Sequence, residues 1–298
     1  MFTNSSLYDK IFMVSIMTKK VAVINDLSGF GKCSLVTSIS ILSVMGVQAC
    51  PVPTAVLTNQ TGYKNYYSYD FSKHLHNYIE IWKANGIEFE GIYSGYVANE
   101  MQIDFISQFI SELASSNTKI IVDPVMGDNG SMYSSYNRQT CNKIRSLVNL
   151  ADIITPNLTE LCLLSDYDYS SLIGIEDDDV FFEKLTDLAH SALRHSTQQI
   201  IVTGISRGEY IYNGLFSGNE SFFEKQRLFN DSFSGTGDIF ASIICGAVLN
   251  EIDIKLALKV ATDFIQKAIA DTVSENTQYD RNDGINFEKY LYSLGNIN

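Results

Sequence analysis

The stretch VAVINDLSGFGKCSL, residues 21–35, decides the reading of the fold. Val21, Ala22, Val23 and Ile24 form a short, mostly β-branched run, the pattern of a strand buried on both faces. Gly29 and Gly31 then break the chain into a turn. A helical pattern follows over residues 34–45, with Ser34 as a candidate cap at its start and Gly46 at its end. Strand, glycine-rich turn and helix make the opening of an α/β unit.

The same alternation runs outward along the chain. Strand patterns lie at 49–57, 89–94, 119–123, 151–155 and 199–203. Helical patterns lie at 72–85, at 100–115 behind Asn99, and at 177–195 behind the acidic run Glu176–Asp179, which suits a solvated helix start. Residues 208–217 and 220–229 alternate like strands around a Ser217-Gly218-Asn219 turn. Helices at 236–249 and 253–273 follow, then a short one near 286–294. No repeat or low-complexity linker interrupts the order. It predicts a single α/β domain over 17–298 with a mainly parallel sheet between helical layers. In such sheets ligands bind beyond the carboxyl ends of the strands.

Composition narrows the partners. A formal charge of −13 over 298 residues argues against nucleic acid, since phosphate backbones need basic patches. Five scattered cysteines without a CxxC pattern read as reduced thiols in a cytoplasmic protein. Residues 11–17, IFMVSIM, are too few to span a bilayer, and no other stretch is long enough. Residues 1–16 read as a dispensable extension, or a misassigned start, ahead of MTKKVAVIND.

The loop at 25–35 looks built for phosphate but fails the test. A phosphate-binding GxxxxGK[ST] loop ending at Gly31-Lys32 needs glycine at 26 and a hydroxyl at 33. The chain has Asp26 and Cys33. A dinucleotide GxGxxG fails at Ser34. What remains is a turn at a strand's carboxyl end, on the side of another ligand.

A better anion site lies at NDSFSGTGDIFAS, residues 230–242. Gly235, Thr236 and Gly237 open an apolar helix, where free amides and the lack of side chains leave an anion hole. Asp238 in the first turn either complements the helix dipole or activates a hydroxyl beside that hole. Two further strand ends carry carboxylates, in Val122–Asp128 and in Thr155–Leu161. Asp123 and Glu160 could share a magnesium ion, directly or through its waters. Asn157 and Glu160 also have capping-box spacing, which by itself needs no ligand. The four histidines show no zinc spacing, and no GxSxG elbow occurs.

Taken together, these motifs resemble the ribokinase-like superfamily and, most closely, its pyridoxal (vitamin B6) kinases. The resemblance runs from about Lys19 to about Ala270 and rests on INDLSGFGKCS (24–34), VPTAVLTNQTGY (52–63), YSGYV (93–97), VDPVMGD (122–128), ITPNLTEL (154–161), IVTG (201–204) and SGTGDIF (234–240). It implies a three-layer α/β/α sandwich and ATP-dependent phosphorylation of a B6 vitamer's 5′-hydroxymethyl group. Asp238 would be the catalytic base, with Gly235, Thr236 and Gly237 forming the anion hole. Asp123 and Glu160 would organise Mg2+. Asp123, Asn157, Thr155, Thr203 and Gly204 would lie along ATP, and Asp26, Thr61 and Tyr96 would line the vitamin pocket. Gly127–Tyr136 matches a flap over the nucleotide. A homodimer, and a monovalent cation such as K+, are further family expectations. The chain departs from the family pattern at Asp26, where serine is usual, and at Gln60, where histidine is usual. A hydroxymethylpyrimidine kinase and a non-catalytic B6 or nucleotide binder are the rival readings.

Overall fold

The computed structural model describes residues 18–134, 136–229, 232–275 and 279–297. The extension expected over residues 1–16 lies outside the described residues.

Strand β1 (Lys20–Ser28) leads through the glycine-rich turn to α1 (Ser34–Val44), then to β2 (Gln48–Leu57). A short edge strand β3 (Ser68–Asp70) precedes α2 (His76–Ala84), β4 (Gly91–Ser94), α3 (Glu100–Leu113) and β5 (Lys119–Val122). A hairpin of β6 (Gly127–Asp128) and β7 (Ser131–Met132) comes next, then α4 (Arg138–Val148), β8 (Ile153–Ile154), α5 (Leu158–Leu164), α6 (Tyr169–Ile173) and α7 (Asp178–Ala192). Antiparallel strands β9 (Gln199–Arg207), β10 (Tyr210–Ser217) and β11 (Glu220–Arg227) lead to α8 (Thr236–Leu249) and α9 (Ile254–Glu275). The segment expected as a helix near 286–294 is a 3-10 helix at Glu288–Asn296.

One nine-stranded sheet runs in the order β11-β10-β9-β8-β5-β4-β1-β2-β3. The inner pairs β2–β1, β1–β4, β4–β5, β5–β8 and β8–β9 are parallel, and the pairs at both edges are antiparallel. This is the three-layer, mainly parallel sandwich that the strand and helix order predicts. Alternation along the strands feeds both faces. Val21 and Val23 pack with α1, α8 and α9, while Ala22 and Ile24 face α2, α3 and the helices that follow. Burying an Ile or Phe side chain fully contributes about 1.5–3 kcal/mol, and Ile24, Ile41, Ile92 and Phe109 are all fully buried. No helix among the described residues is long and apolar enough to cross a membrane.

The ends of α1 differ from expectation at one side. Gly46 does close it, with φ +76° just past the C-cap. Its N-cap position is Cys33, which makes no side-chain cap. The Ser34 hydroxyl instead donates to Asp26 Oδ1 at 2.6 Å. Tertiary partners have replaced the local cap.

Candidate active site

Six parallel strands bring their carboxyl ends to one edge, opposite the N-terminus of α8. Gly235 makes the entry to that helix. Its φ is +81°, and a Cβ there would fall 1.9 Å from the Lys32 carbonyl oxygen. Only glycine fits, for both reasons. The Thr236 hydroxyl donates to the Phe233 carbonyl at 3.2 Å, which closes the turn. A Cβ on Gly237 would meet nothing nearer than Asp123 Oδ2 at 3.8 Å, so its missing side chain leaves space beside that carboxylate.

Asp238 sits at the centre of the polar contacts. Asn25 Nδ2 donates to its Oδ1 at 3.0 Å, and the Ser34 backbone amide also holds the charged form. Burial wins over both donors and pushes the carboxyl up to about 6. Asn25 itself is locked, because its Oδ1 accepts the Asp26 amide at 2.9 Å and a Cβ on neighbouring Gly95 would lie 2.4 Å from its Nδ2. Asp123 directly follows β5, with Oδ1 accepting the Thr155 hydroxyl at 3.1 Å. Burial, then the charge of Asp238, raises it to about 7.

Asp26 is a brace. Its Oδ2 accepts the Ser28 hydroxyl at 2.8 Å while Oδ1 takes that of Ser34, and the residue is buried. Desolvation lifts its carboxyl, and the two hydroxyls partly offset this.

Asn157 and Glu160 complete the capping box of α5. Glu160 Oε2 accepts the Asn157 amide at 2.8 Å, and Oε1 accepts the Met126 amide at 3.0 Å. Burial and the nearby Asp123 hold its carboxyl well above the usual carboxylate range. Asn157 Nδ2 donates to the Gly127 carbonyl at 2.8 Å, tying α5 to the base of the β6–β7 hairpin. Asn129 and Gly130, both at positive φ, form the tip, and the Gly130 amide donates to Thr159 Oγ1 at 2.9 Å. Farther along, the Tyr136 ring stacks on Tyr96 at 6.3 Å and an 8° tilt. Ser135 of this flap lies outside the described residues.

The structure therefore joins Asp238, Asp123, Thr155 and Asp26 into one polar region. Thr61 stands exposed on a loop at its border, and Tyr96 is placed against the flap. Thr203 bridges to Asn157, and the open Gly204, at φ +70°, donates its amide to Asn213 Oδ1 at 3.0 Å. Lys32 points elsewhere, to Asn286 Oδ1 at 2.9 Å and Glu288 Oε2 at 3.0 Å. The residue that sequence reasoning missed is Asn25. Its signal was a polar side chain closing an otherwise apolar strand. Among the described residues, no three His, Cys, Asp or Glu side chains gather as a preformed metal site.

The fold and this strand-end site define a kinase of the ribokinase-like superfamily. The family model described as phosphomethylpyrimidine kinase matches residues 36–282. The chain belongs to that family, in its group with the pyridoxal kinases. A Bacteroides thetaiotaomicron protein, provisionally assigned as a phosphomethylpyrimidine kinase, is 34% identical with a TM-score of 0.88, covering 95% of this chain and 96% of that one. A second crystal form, with pyridoxal, superposes with a TM-score of 0.86 over 93% of this chain. The Dictyostelium discoideum pyridoxal kinase is 24% identical over 263 residues, 85% of each chain. The Leishmania donovani pyridoxal kinase in complex with ADP and pyridoxamine shares the fold, at 18% identity and a TM-score of 0.79 over 93% of this chain and 95% of that one.

Proposed function

We propose that this protein transfers the γ-phosphoryl group of ATP to the 5′-hydroxymethyl group of a vitamin B6 vitamer: pyridoxal, pyridoxine or pyridoxamine. The observation that carries the reading is Asp238, half-buried, held by Asn25 and the Ser34 amide, at the mouth of the Gly235–Gly237 turn. The Bacteroides relative described with pyridoxal supports the substrate class, and the Leishmania fold relative described with ADP supports the donor.

Phosphoryl transfer is mostly positioning and charge stabilisation. Ionised Asp238 orients the alcohol and accepts its proton as the oxygen–phosphorus bond forms. The amides at the start of α8 face the charge that develops on the migrating group. Asp123, Asn157, Thr155, Thr203 and Gly204 bound the nucleotide side; Asp26, Thr61 and Tyr96 bound the vitamin side. The flap from Gly127 to Tyr136 covers the site and keeps water from the phosphoryl group. The donor set suits magnesium, which keeps several waters and needs few carboxylates. Asp123 and Glu160 would hold it. Bound there, the ion would neutralise phosphate charge. Unpaired thiols at all five cysteines suit a cytoplasmic enzyme. The homodimer and any K+ requirement rest on family resemblance alone.

The family model's own description favours one other reading, a kinase for hydroxymethylpyrimidine or its phosphate. A substrate panel with purified protein, ATP and Mg2+ separates the two. Turnover of a B6 vitamer is expected. Strong turnover of the pyrimidine with none of any vitamer would overturn the assignment.

A further inference from the structure

We infer that Gln60 is a positioning residue: its amide sets the alcohol-side loop against the anion turn by joining both to the C-terminal strap, residues 279–288. The inference rests on the B6-kinase reading for its kinetic consequences, and on geometry for the rest.

Three segments that are remote in sequence meet at this one side chain. Gln60 Oε1 accepts the Gly62 amide at 2.8 Å, within the loop that carries Thr61. Its Nε2 donates to Ser234 Oγ at 3.3 Å, one residue before Gly235. The same nitrogen donates to the Asn282 carbonyl at 3.1 Å, in the strap. The residue is buried, and its own amide is bound to the Phe30 carbonyl at 3.0 Å.

The partners also fix the residue type. An amide, an alcohol and a carbonyl must be satisfied by one side chain, which needs an acceptor and two donors at that length. Glutamine supplies both in a single orientation. A carboxylate would face the Asn282 carbonyl without a proton, and an apolar side chain would make none of the three bonds. Two glycines make room for it. A Cβ at Gly31 would lie 2.8 Å from Gln60 Cγ, and one at Gly62 would lie 2.2 Å from Asn282 Oδ1.

The strap is held independently at its other points. The Ser234 amide donates to the Arg281 carbonyl at 3.1 Å, and the Tyr63 hydroxyl bonds the Asp283 carboxylate. The Phe233 and Tyr279 rings pack at 5.0 Å. The strap therefore touches the anion turn and the alcohol-side loop separately, and Gln60 is the group that bonds all three. Small errors in the relation of an acceptor loop to a phosphoryl site are costly, because near-attack geometry is narrow.

The test uses the full chain as wild type, Gln60→Ala and Gln60→Glu. Steady-state kinetics with ATP and the three vitamers are read together with amide hydrogen exchange over 279–284. Both variants should raise the vitamer KM and lower kcat by about tenfold each, with the ATP KM within about twofold. Exchange in the strap should quicken. If folded variants lose only thermal stability, or if the ATP KM rises as much as the vitamer KM, the inference is wrong. Should Gln60→Ala fail to fold, the nearly isosteric Gln60→Glu decides. If wild type phosphorylates no vitamer, the function reading fails, and unchanged strap exchange in the variants would sink the positioning role separately.

Discussion

Two glycine-rich turns open helices in this molecule, and they do opposite things. The turn before α1 carries Gly29, Gly31 and Lys32, and the turn before α8 carries Gly235 and Gly237. In the first, the cation is bound by Asn286 and Glu288, and the opening helix's Ser34 amide serves Asp238. In the second, Asp238 stands in the first turn, and Gly237 leaves space beside the Asp123 carboxylate. The two are packed together, the Lys32 carbonyl lying where a Cβ on Gly235 would be. Glycine content alone therefore does not mark a phosphate site. What matters is where the amides and charges of the turn are already engaged.

The largest test of this contrast is Asp238→Asn. Turnover should fall by about 10³-fold while the ATP KM stays within a few-fold. Near-wild-type turnover would remove the base from the second turn. Stability should move the other way. Asp238 ordinarily titrates near 3.8 and is raised to about 6 in the fold, so the folded chain binds the extra proton between those values. Ionisation then costs stability as pH rises through that window. The variant should melt a few degrees higher than wild type at about pH 8, and the gain should vanish below about pH 4. Calorimetry across that range checks the sign.

Next is Gly235→Ala, which strikes the contact between the turns. A positive φ and a clash with the Lys32 carbonyl both oppose it. We expect kcat to drop by about 10²-fold and Tm by about 5 °C or more. An active, unshifted variant would mean that the turns are not mutually fixed.

Asn25→Ala should have a smaller effect. It removes a donor that favours ionised Asp238, so the acid limb of kcat/KM, expected near pH 6, should move up by about half a pH unit to one unit. At neutral pH kcat should fall several-fold. An unmoved limb would detach Asn25 from the base. Lys32→Ala is the smallest. The ATP KM should stay within a few-fold and Tm should fall by about 1–3 °C, since the lost ion pair is partly exposed. Collapse of ATP binding would return the first turn to the phosphate role.

Local patterns carried much of this. The apolar runs at 21–24 and 120–122, within the strands expected at 21–25 and 119–123, read as strands because both faces of a parallel strand are buried. The helix at 138–148 was hidden by its polar surface. Its core contacts, Cys141, Ile144 and Leu147, recur at helical spacing behind Asn137, which accepts the amides of Gln139 and Thr140. The hairpin at 127–132 lies within the segment Gly127–Tyr136 that the resemblance marks as a flap, but two-residue strands leave no periodicity to read. In the site, Asp238 and Asp123 were legible from the residues around them. Asn25 was not, because its partner stands 213 positions away.

The sequence by itself determined the alternation of strand and helix, the glycine entry to α8 and the carboxylates at the strand ends. Those follow from side-chain periodicity and backbone freedom, which act over a few residues. Tertiary structure alone decided that Lys32 faces the C-terminal segment, that Asp26 braces two serines, and that Asn25 holds Asp238. Each is a buried or half-buried polar group that must find a partner; for Lys32 and Asn25 that partner comes from a segment more than 200 residues away, which no local pattern can show.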